Sequence, residues 1–245
     1  MCIRDSIYPG HSDFPPNLLE ISPVLFTKGQ RKRLMFDSVA IVGARNVSDK
    51  GSSVARKLAG DLANKGINVV SGYAKGVDSE AHLGALEVEG TTTIVLPYGI
   101  KELQQKKSFK EFDWKRDVLV VSQFDPAVKW LASNAMIRNK LVCALSKAVV
   151  VIESGTERDE KGKMSGTFSA AKTTLDMDLP LFVLDPSLLD NSPRGNAELI
   201  ALGGNCLNPV NGAEQIVKCI STKTDESIEI AGHNNAVQQS LFDSD

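Results

Sequence analysis

The sequence predicts an open, mostly parallel α/β sheet with helices on both faces. Three observations carry that expectation. Short apolar runs of the kind that strands buried on both faces show recur along the chain, Val39-Ala40-Ile41-Val42 and Ala148–Ile152 being the plainest. Stretches of helical period alternate with them, as a parallel sheet with crossover helices requires. Several runs end on a serine or glycine turn just ahead of a helix-capping residue.

Residues 1–6 show no pattern joining them to the rest of the chain. Residues 7–38 hold Pro9, Pro15, Pro16 and Pro23 among Leu18, Leu19, Ile21, Leu25 and Phe26. Residues 1–38 are therefore expected as a lead-in packed on a core of residues 39–220. A strand at 39–42 ends on Gly43, and Ser48 caps a helix that Gly66 stops. A strand at 67–70 ends on Ser71-Gly72, and Asp78 is placed to cap a helix through Glu87. Thr92–Leu96 is a strand, 101–116 a lysine-rich excursion, 117–122 a strand and 126–146 a long helix. Next come a strand at 148–152, a charged loop at 154–165, a helix at 166–177 and a strand at 181–184. Helices at about 194–202 and 212–220 close the body. Residues 221–245 lose apolar periodicity and are expected as a flexible acidic tail. The order of the strands is not readable from the pattern.

Composition excludes several classes. Of 245 residues, 42% are hydrophobic and 24% charged, which rules out wholesale disorder and fibrous repeats. No apolar run approaches the roughly 18 residues of a membrane span, and no signal-peptide pattern opens the chain. Cys2, Cys143, Cys206 and Cys219 are scattered, with no CxxC pair, and read as reduced thiols of a cytoplasmic protein. The three histidines, His11, His82 and His233, offer little for a metal centre, and neither metal nor cofactor is expected. The net charge is −2, but the tail has five acids against Lys223 alone, so the body is close to neutral. Any nucleic-acid binding must then come from a local basic patch.

Three turns have the composition of anion sites at the carboxyl ends of strands. They are Gly43-Ala44-Arg45-Asn46-Val47-Ser48, Ser71-Gly72-Tyr73-Ala74-Lys75-Gly76-Val77-Asp78, and Ser165-Gly166-Thr167. Each leads into a helix start, where free N–H groups and the helix dipole attract anions, and Arg45 and Lys75 add charge. Neither GxGxxG nor GxxxxGK[ST] is present, which argues against dinucleotide chemistry and P-loop hydrolysis. Arg138 and Lys140 lie about 200° apart on their helix, so both cannot face one ligand, while Asn139 is placed to bridge locally. His82 lies one turn after Asp78, but the capping role of that aspartate makes a structural histidine the better reading. Glu153 ends the most apolar strand, where a cap or ion pair is favoured over acid–base work. No nucleophile, base and orienter stand together, so no catalytic set is assigned.

These residues carry a family. Tyr8-Pro9 with Leu18, Ile21, Pro23, Leu25 and Gly29, then VAIVGAR (39–45), VVSGYAKGVDSEAH (69–82), RNK (138–140), SGT (165–167) and Ser192-Pro193-Arg194-Gly195-Asn196 run in one order. Over about residues 7–208 the chain resembles the DNA-processing protein A family (DprA, also called Smf), as a divergent, core-only member. The resemblance implies a Rossmann-like domain that binds single-stranded DNA in DNA recombination and DNA-mediated transformation, loads the RecA recombinase and does no catalysis on the strand. By position, Gly43, Arg45, Ser71, Gly72, Lys75, Gly76, Arg138, Asn139, Lys140, Ser165, Gly166 and Thr167 would line the DNA. The family's usual aromatic ahead of RN[RK] is Ala135 here, which leaves Tyr73 as the best stacking candidate. The alternative is a nucleotide-derivative sensor or a phosphoribohydrolase-like enzyme of the related superfamily, whose PGGxGT loop Ser165-Gly166-Thr167 faintly resembles.

The chain ends Gln238-Gln239-Ser240-Leu241-Phe242-Asp243-Ser244-Asp245. This resembles the peptide that replication partners insert into the sliding clamp of DNA polymerase, with Gln238, Leu241 and Phe242 as contacts. The sequence leaves open whether the chain forms a homodimer.

Overall fold

The computed structural model of the chain describes residues 6–222. The expected clamp-binding residues Gln238, Leu241 and Phe242 lie outside the described residues. In chain order the elements are β1 (Ser6–Ile7), β2 (Leu25–Lys28), β3 (Ser38–Val42), α1 (Asp49–Asn64), β4 (Asn68–Ser71) and α2 (Val77–Glu87). Then come β5 (Thr92–Val95), α3 (Trp114–Asp117), β6 (Val118–Ser122), α4 (Ala132–Ala144), β7 (Ala148–Val151) and α5 (Gly166–Asp176). β8 (Leu181–Leu184), α6 (Arg194–Ala201), β9 (Asn205–Leu207) and α7 (212–222) complete the chain.

The strands form one sheet in the order β1-β2-β6-β5-β4-β3-β7-β8-β9. Pairing is parallel from β6 through to β9, and antiparallel where β2 meets β6 and β1 meets β2. The lead-in is thus more than a packed segment, because it supplies two strands to one sheet edge. Their shortness and the surrounding prolines hid the strand pattern from the sequence. Ile7, Phe14, Leu18, Leu25 and Leu34 lie in the same buried cluster as Ala40, Val42 and Val149 of the central strands.

Alternation on the central strands divides the apolar residues between the two faces. Val39 and Ile41 pack beneath α1, α2 and α7 with Leu58, Ala81 and Ile216. Ala40 and Val42 face the opposite layer, where Leu141 of α4 and Phe168 of α5 pack with them. A third cluster, Tyr73, Leu83, Ile94 and Phe109, fills the space under the lysine-rich excursion.

Several element boundaries differ from expectation. α4 begins at Ala132 and not at Pro126, because the backbone of 126–128 pairs with the turn at 99–101: Gly99 N–H donates to Val128 O at 2.8 Å and Lys101 N–H to Pro126 O at 3.0 Å. β9 was not anticipated, being a three-residue edge strand with two exposed positions. Asp78 is not the cap of α2. Gly76 occupies that position, and the Asp78 carboxylate accepts from Ala74 N–H at 3.2 Å, bracing the turn that precedes the helix.

The topology locates the site. The chain starts the parallel sheet at β3, builds outward through β4, β5 and β6, then returns to β7 on the other side of β3. The loops after β3 and β7 therefore diverge, and this switch point opens the crevice in which such sheets bind ligands.

Candidate nucleic-acid interface

The first two glycine turns are locked together through backbone. Ala44 N–H donates to Glu153 O at 2.8 Å, and Val77 N–H donates to Ala44 O at 3.2 Å. Gly76 has φ +80°, and a side chain there would lie 2.4 Å from Ala44 O and 2.6 Å from Arg45 O. Only glycine meets both demands. A Cβ on Gly43 would likewise fall 2.5 Å from Val77 Cγ2. This close packing leaves the Arg45, Asn46 and Lys75 side chains exposed on the rim.

Glu153 supports the first turn from below. Its carboxylate accepts from Ser48 N–H at 3.0 Å and from the Ser48 hydroxyl, and Ser48 Oγ in turn caps α1 by accepting from Gly51 N–H at 3.0 Å. The carboxylate is a structural cap, as the sequence favoured. Ser71 is equally structural: fully buried, it donates its hydroxyl to Ile41 O at 2.6 Å and offers nothing to a ligand.

Tyr73 is not available for stacking. Its φ is +61° and it is 6% exposed. Its ring meets Phe109 edge-on at 5.2 Å, and its hydroxyl accepts from Lys106 N–H at 2.9 Å. Burial raises the phenol pKa, an effect that the hydrogen bond from Lys106 partly offsets. The excursion at 101–116 acts as a strap over this turn. Lys106 Nζ donates to Tyr73 O, Ala74 O and Ser79 Oγ at 2.9, 3.0 and 2.7 Å, and sits 4.2 Å from the centre of the Tyr73 ring. All three ammonium protons are engaged, so Lys106 holds the turn and is not a free cation.

His82 lies beneath, fully buried. Thr92 Oγ1 donates to Val69 O at 2.7 Å, so the 2.6 Å contact between His82 Nδ1 and Thr92 Oγ1 makes Nδ1 the donor. Burial, reinforced by Lys106 and Arg138, lowers the imidazole pKa to about 3. It is a neutral core residue and forms no pair with Asp78.

Arg138 is the central feature. Only 6% exposed, its guanidinium rests on the backbone of Gly72, where an added Cβ would lie 1.6 Å from Nη1. Its Nε has no hydrogen-bond partner. Burial lowers the guanidinium pKa; Asp78 offsets this, and Arg45 adds to it. No carboxylate among the described residues contacts the guanidinium, and a buried cation so placed is costly unless a ligand supplies the anion. Asn139, next on α4, donates from Nδ2 to Gly166 O at 3.0 Å and ties α4 to the start of α5. Ser165 caps that helix by accepting from Phe168 N–H at 3.2 Å.

These groups surround a cavity of about 830 Å³, lined by Gly43, Arg45, Arg138, Asn139, Ser165, Gly166 and Thr167. Arg45 and Asn46 also line an adjoining depression of about 540 Å³ that contains Lys75, Gly76 and Lys106. The structure thus brings the three turns to one cleft. Lys140 is exposed and lines neither cavity, as the 200° separation from Arg138 required. Ser71 and Gly72 lie below the surface, the first as a tie and the second as the seat of Arg138. Sequence reasoning missed Asn46, Lys163 and Trp130 as lining residues. Asn46 stood inside a recognised turn, but Lys163 and Trp130 had no motif to mark them.

Among the described residues, no three His, Cys, Asp or Glu side chains gather as a metal site, and no helix is long and apolar enough to cross a membrane. Cys143 is buried among α4 and α5 side chains, which raises its thiol pKa to about 11.

A cleft at the switch point of a doubly wound sheet, floored by a buried arginine and rimmed by helix N-termini, defines a Rossmann-like domain. The sequence narrows that class to one family. Residues 5–221 match the model of the DNA recombination-mediator protein A family, and the chain belongs to it. It is 31% identical over 194 residues to the DNA processing protein DprA of Streptococcus pneumoniae, covering 78% of this chain and 66% of that protein. It is 30% identical to protein Smf of Escherichia coli, covering 80% of this chain and 52% of that protein. The chain therefore spans about half to two thirds of the length of these relatives. The X-ray structure of S. pneumoniae DprA superposes with a TM-score of 0.72 at 29% identity, over 82% of this chain and 70% of that one. A structure reporting the single-stranded DNA binding mode of Helicobacter pylori DprA superposes with a TM-score of 0.67 at 28% identity, over 86% and 93% of the two chains. The molybdenum cofactor binding protein of Rippkaea orientalis, at 21% identity and a TM-score of 0.52, shares the fold alone.

Proposed function

We propose that this protein binds single-stranded DNA along the cleft formed by the three glycine turns and α4, as a non-catalytic mediator of DNA recombination. The observation that carries this reading is Arg138, a buried guanidinium with no contacting carboxylate among the described residues, on the floor of a cleft whose rim adds Arg45 and Lys75. A phosphate diester supplies the missing anion, and a chain of them explains why the two depressions adjoin through Arg45. Family membership and the strand-binding mode reported for the H. pylori relative support the same ligand. With Glu153 used as a cap and His82 neutral and buried, neither is free for acid–base chemistry, which favours binding without turnover. Delivery of the strand to a RecA-type recombinase is the corresponding partner function, and the terminal QQSLF segment is the proposed clamp contact.

The test is Arg45→Ala, which removes an exposed cation shared by both depressions. Binding of labelled oligo-dT should weaken on every sequence tried, with the slope of log affinity against log salt reduced by about one. An unchanged affinity and slope would remove Arg45 from the strand path.

A further inference from the structure

This inference rests on the single-strand reading of the cleft and names the group that reads bases there. Binders of single strands combine a cationic track with an aromatic face on which bases stack. The two aromatic positions suggested by the sequence are empty of that role: Tyr73 is locked under the strap, and position 135 is alanine. Trp130 alone among the residues lining the two depressions is aromatic. It stands just ahead of α4 and is 50% exposed. Leu131, the next residue, and Met164, which lines the same cavity, are also exposed, at 54% and 40%.

A half-exposed indole among exposed aliphatic side chains is unfavourable in water unless something covers it. What lies beside it is decisive. Trp130 shares its cavity with Arg138 on the floor and Arg45 on the rim, so its apolar face stands beside two cations. A nucleotide divides its own surface in that way, with charge on the phosphate and an apolar face on the base. From Ala132 to Arg138, both of which line this cavity, the helix rises about 9 Å.

We propose that Trp130 is a base-stacking residue of the cleft and gives it preference for strands whose bases are unpaired and free to turn outward. In a duplex the base faces are covered, so the same phosphate contacts would be made without the stack.

The experiment measures anisotropy of labelled oligo-dT, and of an abasic oligonucleotide of equal length, with the full chain as wild type, W130A and W130F. W130A should weaken oligo-dT binding roughly 5- to 150-fold, the range of one lost base–aromatic stack. W130F should restore most of that loss, and neither variant should change binding of the abasic strand. Oligo-dT should also quench the indole emission of wild type, and this quenching should vanish in W130F, where Trp114 is the remaining tryptophan. Wild-type affinity in W130A, or an equal loss on both oligonucleotides, would overturn the stacking role while leaving the cleft as the DNA site. In that case the apolar rim would be assigned to a protein partner. Failure of wild type to bind either oligonucleotide at low salt would instead remove the single-strand reading, and the stacking role with it.

Discussion

Gly72→Ala separates the role of the cleft floor from its stability. The added methyl would sit 1.6 Å from Arg138 Nη1, 2.3 Å from Cζ and 2.5 Å from Nη2. An unstrained contact needs about 3.5 Å, so the guanidinium must move by about 2 Å. What moves is the end of a flexible side chain, and Gly72 is not among the residues with positive φ, so alanine fits the backbone. The fold should therefore persist, with a stability change within about 1 kcal/mol. Binding should not. Displacing Arg138 removes a charge-assisted contact worth about 1.5–3 kcal/mol, which is roughly a 10- to 150-fold loss of affinity for oligo-dT. Anisotropy titrations paired with thermal melts read both quantities. Because Gly72 acts through Arg138, G72A in an R138M background should add little further loss. A G72A protein that melts with wild type and binds as tightly would refute the assignment of Arg138 as an anion contact.

The pH profile should carry the signature of His82. With its folded pKa lowered to about 3 and an unfolded value near 6.5, the unfolded chain takes up the proton first, so this contribution is whole above about pH 6.5 and is lost as pH falls toward 3. The loss should reach about 2 kcal/mol near pH 5, and urea melts of H82N should lack that part of the acid limb; parallel profiles would refute it. Lys106→Met strands the acceptor Tyr73 O and leaves Ala74 O to the Ser79 hydroxyl alone, so it should cost about 1–3 kcal/mol in a urea melt and weaken DNA binding by loosening the second turn. Glu153→Gln replaces one accepting oxygen at Ser48 with an amide, and about 1–3 kcal/mol of stability should go with it in a thermal melt. Full stability in E153Q would show that the Ser48 cap does not depend on the charged group.

The parallel sheet was legible because buried strands and amphipathic helices have different periods, and β3, β7 and their crossovers show both clearly. The lead-in strands and β9 were not, because strands of two to four residues hold too few positions to display alternation. Within the site, the glycines and Arg45 could be found from turn composition alone. The partition of Arg138 from Lys140 followed from helical angle, though which of the two faces the cleft depended on the sheet order. What pattern could not supply were contacts made across long stretches of chain. Lys106 reaches back more than thirty residues to hold Tyr73, and this converts an apparent stacking aromatic into core. Asp78 similarly looked like a cap because aspartate often is one, yet Gly76 with its positive φ takes that place.

The most direct measurement of the central claim is anisotropy of one labelled oligo-dT and one labelled duplex of the same length, titrated with the wild-type chain across a series of salt concentrations. The account predicts tight binding of the single strand, affinity falling steeply as salt rises, and much weaker binding of the duplex. Absence of binding to the single strand at low salt, or equal affinity for the two DNAs, would contradict it.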